Sequence, residues 1–171
     1  EATRAALKKV KRDMIKPDHS VNICASHHGF TLLGGAPDAE MLKVLRDEIA
    51  ARTGCENIRL RAGVGLRFRE TEEYIKSFGL DTHYGKGKTR GVAPIDEGIP
   101  IETDIGKLYG IKAIHVADWI AHAHKYDLPE PHFHRQLDRA LIPFCMSFAP
   151  LESRFPSPHT LAPIPPNVPA R

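Results

Sequence analysis

The feature that most constrains the fold is a unit that occurs twice in succession: a short apolar run, a glycine-containing loop, then a segment with helical spacing. Val21-Asn-Ile-Cys-Ala25 is short and apolar, as a buried strand is. The loop Ser26-His-His-Gly-Phe-Thr-Leu-Leu-Gly-Gly35 follows it. Pro37-Asp38 then opens a helix to about Arg52, with Met41, Leu42, Leu45 and Ile49 on one face and Gly54 as its cap. The second unit has a strand at Asn57–Ala62, a turn at Gly63-Val-Gly65 and a helix from Thr71 to Ser77. Glu70, Glu72 and Glu73 suit the positive end of that helix. A βαβα order predicts an α/β fold with a mainly parallel sheet and crossover helices, Rossmann-like in form. It also predicts that Val21–Ala25 and Ile58–Ala62 are neighbouring strands.

The rest of the chain is less regular. Glu1–Met14 carries Leu7, Val10 and Met14 at helical spacing and is expected to form a surface helix, stopped by Lys16-Pro17-Asp18. Asp81–Gly91 is expected to be a polar Gly/Lys loop, Val92–Ile95 a strand, Thr103–Ile111 a helix and Val116–Ala123 a strand. Phe133–Met146 has Leu137, Leu141, Phe144 and Cys145 on one face, with Pro143 bending or shortening the helix. Half of the 14 prolines fall between Pro150 and Pro169. The chain therefore divides into an α/β domain at 1–148 and a Pro-rich, extended tail at 149–171.

Composition narrows the class of function. With 171 residues, 42% apolar and 26% charged, this is a globular chain with room for a core. A net charge of +3 gives no reason to expect nucleic acid. No run is long enough to span a membrane, and no signal-peptide pattern opens the chain. Cys24, Cys55 and Cys145 are odd in number and far apart, so reduced thiols and a cytoplasmic location are expected. The first residue is Glu1 rather than Met, so a fragment or a processed product is also open.

Four constellations can carry chemistry. His122-Ala-His124 and His132-Phe-His134 each place two imidazoles at i and i+2, which share a face on a strand. Together His122, His124, His132 and His134 form a candidate site for Zn or Ni, against the plainer alternative of separately solvated histidines. Gly63-Val-Gly-Leu-Arg67-Phe-Arg69 lies between a strand and a helix, where backbone N–H groups attract anions and Arg67 and Arg69 add bidentate donors. Phe68 stands where a dinucleotide fingerprint needs its third glycine, so NAD is not expected. Gly85-Lys-Gly-Lys-Thr-Arg-Gly91 resembles half of a P-loop, but Thr82 replaces the first glycine. Lys86, Lys88 and Arg90 are instead candidates for a basic loop over an anionic substrate, or simply a solvated loop. Finally, Ser26-His27-His28 follows the first strand, where open α/β sheets bind ligands.

Beyond these residue-level readings, the stretch from about Val21 to Met146 resembles the nickel-pincer lactate racemase family, in its N-terminal domain. In that family the first strand ends in Ser-Asp-His-Thr-Arg-Pro; here the stretch is Ser26-His27-His28-Gly29-Phe30-Thr31. The family's Thr-Gly-x-His-Arg after the second strand corresponds to Val64-Gly65-Leu66-Arg67-Phe68. Its Ala-Asp-Leu and His-Phe-Phe stretches resemble Ala117-Asp118-Trp119 and Pro131-His132-Phe133. Only His28 and His132 carry over as catalytic candidates. The family's first-loop Asp and Arg stand as His27 and Phe30, and its catalytic His as Arg67. No Lys near Arg139 matches the one that anchors the pincer cofactor, which makes that cofactor doubtful, and the second domain is missing.

The resemblance implies a divergent isomerase-like domain that binds a small hydroxy acid or other anion. Arg67, Arg69, Lys86, Lys88 and Arg90 would hold the substrate, with His28 and His132 lining a crevice at the strand ends. A histidine-ligated Zn or Ni enzyme or metal-binding domain is one alternative. A non-catalytic half of a larger assembly is another, with a second polypeptide or a homo-oligomer as partner.

Overall fold

The computed structural model describes residues 2–8, 10, 13–26, 35–63, 68–92, 96–103 and 106–123. The element order is α1 (Ala2–Leu7), β1 (Ser20–Ser26), α2 (Ala36–Thr53), β2 (Asn57–Gly63), α3 (Phe68–Ser77), α4 (Leu80–Tyr84), β3 (Thr89–Val92), β4 (Gly98–Thr103), β5 (Gly106–Ile111), α5 (Lys112–His115) and β6 (Trp119–Ala123). Four strands form one parallel sheet in the order β3-β2-β1-β6. The expected neighbours are paired, Val21 with Ile58 and Ala25 with Ala62.

Alternation along the central strands sorts two packing layers. Val21, Ile23 and Ala25 of β1 and Ile58, Leu60 and Ala62 of β2 turn to one face. There they meet Ala39, Leu42, Leu45 and Ile49 of α2, Ile75 of α3, and Leu80 and Tyr84 of α4. Each of these larger side chains contributes roughly 1.5–3 kcal/mol by leaving water. Asn22 and Cys24 point the other way, and Cys24 packs in a smaller cluster with Val92, Ile111 and Ile114. The handedness of crossovers explains the split. The chain winds outward from β1 through β2 to β3, then returns to the far side of β1 with β6. A connection of fixed hand that reverses direction across a sheet must change face.

Several elements depart from the sequence expectation. The first helix ends at Leu7, which packs on the core, while Val10 and Met14 are exposed by 54% and 60%. So short a helix holds only where it rests on a neighbour. Here Arg4 bonds Glu48 of α2 at 3.1 Å, and Leu7 rests on the core. Thr103–Ile111 is not a helix: Gly106–Ile111 pairs antiparallel with Gly98–Thr103. Gly106 and Gly110 weaken helical preference there, and the hairpin satisfies the backbone instead. The strand expected from Val116 begins at Trp119, behind the short helix α5. The second crossover helix begins at Phe68 rather than Thr71. The expected polar loop at 81–91 contains most of α4 and the start of β3. The helix expected at Phe133–Met146 and the tail at 149–171 lie outside the described residues.

Candidate functional site

In an open parallel sheet, the crevice for a ligand opens beyond the carboxyl ends of the strands where the winding changes direction. That point lies between β1 and β6. The chain leaves β1 at Ser26 toward His27 and His28, β2 at Gly63 toward Arg67, and β6 at Ala123 toward His124. His28, Arg67, His124, His132 and His134 themselves lie outside the described residues, and Arg69 falls in the first turn of α3. Lys86 and Lys88 are at the opposite end of the sheet. They precede β3, and Lys88 Nζ donates to the carbonyl of Glu56, just before β2, at 2.7 Å.

The amino ends of β1 and β6 are held by a local clamp. Ser20 N–H and Ser20 Oγ both donate to Oδ2 of Asp118 at 2.7 Å, and Asp118 N–H donates to Ser20 Oγ at 3.1 Å. These bonds from Ser20 keep the Asp118 carboxyl below its ordinary pKa. Trp119 Nε1 donates to Nδ1 of His19 at 2.9 Å beside it. Asp118 of the Ala117-Asp118-Trp119 stretch thus pins two strands together, far from their carboxyl ends.

Across the α5 face of the sheet, register places four side chains in one row: Arg90, Arg61, Cys24 and His122. Paired residues of parallel strands share a face, so this order follows from the pairing alone. His122 is half-buried with its Nε2 sealed from solvent. Burial pushes the Cys24 thiol up to about 12, although the nearby Arg61 charge opposes it. At neutral pH Cys24 is therefore a thiol, neither a nucleophile nor a ready metal ligand. Among the described residues, no group of three or more His, Cys, Asp or Glu is placed to hold a metal ion.

Arg61 stands out in this row. It is only 8% exposed, yet no carboxylate among the described residues lies within ion-pair distance of it. Its guanidinium donates instead to carbonyls: Nε to Ala113 at 3.1 Å, and Nη1 to Leu60 at 3.0 Å and Lys88 at 3.2 Å. Burial lowers its pKa, as do the charges of Arg59 and Arg90. Asn22 joins it in anchoring α5, with Nδ2 donating to Ala113 at 3.1 Å and Ile114 at 2.7 Å. Beside this anchor opens a cleft of about 380 Å³, lined by Arg61, Arg90, Asp96, Glu97, Lys112 and neighbouring residues. Arg90 bonds Asp96 at 2.6 Å and Lys112 bonds Glu97 at 2.8 Å.

Among the described residues, Arg90 is the only one singled out from sequence that the structure brings to this cleft. Arg61, Asp96, Glu97 and Lys112 were not singled out. In Ile-Arg-Leu-Arg, Arg61 looks like the solvated side of an alternating strand. The available signal was its neighbour: Val21–Ala25 carries little charge on either face, which implies that both faces of the sheet are covered there. Comparisons of the chain with family descriptions, with curated proteins and with solved structures found no match.

Proposed function

We propose that this chain is a divergent lactate-racemase-like domain that binds a small hydroxy acid, or another small anion, in a crevice at the carboxyl ends of β1, β2 and β6. The observation that carries the reading is the strand order β3-β2-β1-β6, with its change of winding direction between β1 and β6. The chain segments that leave this end bear His28, Arg67 and His124. In this reading Arg67 and Arg69 hold the carboxylate, since guanidinium matches it with two parallel hydrogen bonds. His28 and His132 line the crevice and are the groups able to exchange a proton near neutral pH.

The test is equilibrium binding of D- and L-lactate to the wild type and to Arg67→Ala and His28→Ala variants, with elemental analysis of the purified protein. Arg67→Ala should weaken binding by about 1–3 kcal/mol, the contribution of a charge-assisted hydrogen bond. Absence of saturable binding to the wild type, or equal affinity in all three proteins, overturns the reading. Stoichiometric Zn or Ni that is lost in a His122→Ala, His132→Ala double variant would favour a metal-dependent domain instead.

A further inference from the structure

We propose that the cleft at Arg61, on the α5 face of the sheet, is a binding site for a small oxyanion, a carboxylate or phosphate group, separate from the crevice at the strand ends. Among the described residues, three cations, Arg61, Arg90 and Lys112, line the cleft with two carboxylates, Asp96 and Glu97. Arg90 and Lys112 are each bonded to one of those carboxylates. The remaining positive charge therefore belongs to Arg61. A buried charge without a counter-charge is costly, and an anion delivered to it recovers that cost.

The guanidinium is also held in position for this. Its Nε and Nη1 donors are used on the carbonyls of Ala113, Leu60 and Lys88, which fix the plane of the group. Nη2 makes no hydrogen bond among the described residues, and Arg61 forms part of the cleft wall. A preorganised donor on a rigid strand binds an anion with little ordering cost. The cleft's volume of about 380 Å³ lies at the small end of the range for ligand pockets, which suits a compact ligand. Ala113, Lys112 and Glu97 belong to α5 and the segment that leads into β4, on the face opposite α2.

The experiment is a nuclear magnetic resonance titration of the Arg61 Nε–H signal with inorganic phosphate and, separately, acetate. In the wild type, at least one of the two should shift this signal saturably. Saturation by phosphate or by acetate identifies which oxyanion the cleft prefers. Val116 lines the cleft and is 53% exposed, so Val116→Asp places a carboxylate in the cleft without touching the bonds that anchor Arg61. That variant should bind at least tenfold more weakly. Glu97→Gln should act in the opposite direction, by about threefold, because it releases Lys112 from its ion pair. A loss of fold cannot produce a tightening. Equal affinities in wild type, Val116→Asp and Glu97→Gln, or no saturable shift with either anion, would overturn the site. So would anion binding that survives Val116→Asp but disappears in Arg67→Ala, a result that leaves the strand-end reading standing.

Discussion

Ser20 directs both a backbone N–H and a hydroxyl at one oxygen of Asp118, which concentrates in two residues much of what holds β1 to β6 at their amino ends. Ser20→Ala should lower the melting temperature at neutral pH, because the carboxylate loses one donor and Asp118 N–H loses its acceptor. The pH dependence has a definite sign. A carboxyl whose folded pKa is depressed contributes stability above its unfolded pKa and loses it as pH falls through the folded value. The deficit of Ser20→Ala should thus be full at pH 7 and shrink as pH drops below the ordinary aspartate range. Parallel thermal melts of the two proteins from pH 7 to pH 2 check this; a deficit that stays constant across that range would assign the loss to packing instead. At this scale little was legible in advance. Asp118 stands in a family-like stretch, but its partner lies 98 residues away, at Ser20. Arg61 was hidden for the same reason: a strand's sequence does not say which neighbour covers its second face.

Elements were legible where punctuation and apolar spacing agreed. For α2, Pro37 near the start and Gly54 at the end mark the helix, and Leu42, Leu45 and Ile49 form its buried side. Gly54 is in the left-handed region at φ 69°, and its N–H closes the helix on Ala50 at 2.9 Å. A Cβ there would also stand 3.4 Å from Cγ of Pro17. Gly54→Ala should destabilise the protein by about 1–2 kcal/mol, the usual cost of a left-handed non-glycine residue. Chemical denaturation should show a lower midpoint with an unchanged slope. An unchanged midpoint would mean that the cap relaxes without cost. Other elements carry no such signal of their own. β3 has one buried apolar residue, Val92, and exists because β2 offers it an edge, as when Leu60 N–H donates to Lys88 at 2.9 Å. The β4–β5 hairpin is likewise a product of pairing rather than of spacing.

On the scale of the whole molecule, the parallel sheet and its covering helices followed from the βαβα order, while the β6 return and the α5 face did not. The consequence is that β1 is central, paired on both edges and covered on both faces. Cys24 sits on that strand with no exposed surface. A thiol reagent can reach it only when the α5 layer lifts from the sheet or the sheet itself opens. Cys55 is as buried, but it lies just before β2, with Sγ donating to the carbonyl of His19 at 3.1 Å. Fraying of the amino ends of the sheet is enough to expose it. Under native conditions Cys55 should therefore be labelled faster than Cys24. Cys24 should react far more slowly than in the unfolded chain, at a rate that rises with denaturant. Labelling followed by peptide mass mapping separates the two sites. If Cys24 reacted first, or at a rate insensitive to denaturant, β1 would not be the sealed centre of the sheet, and the row that places Arg61 between Arg90 and Cys24 would fall with it.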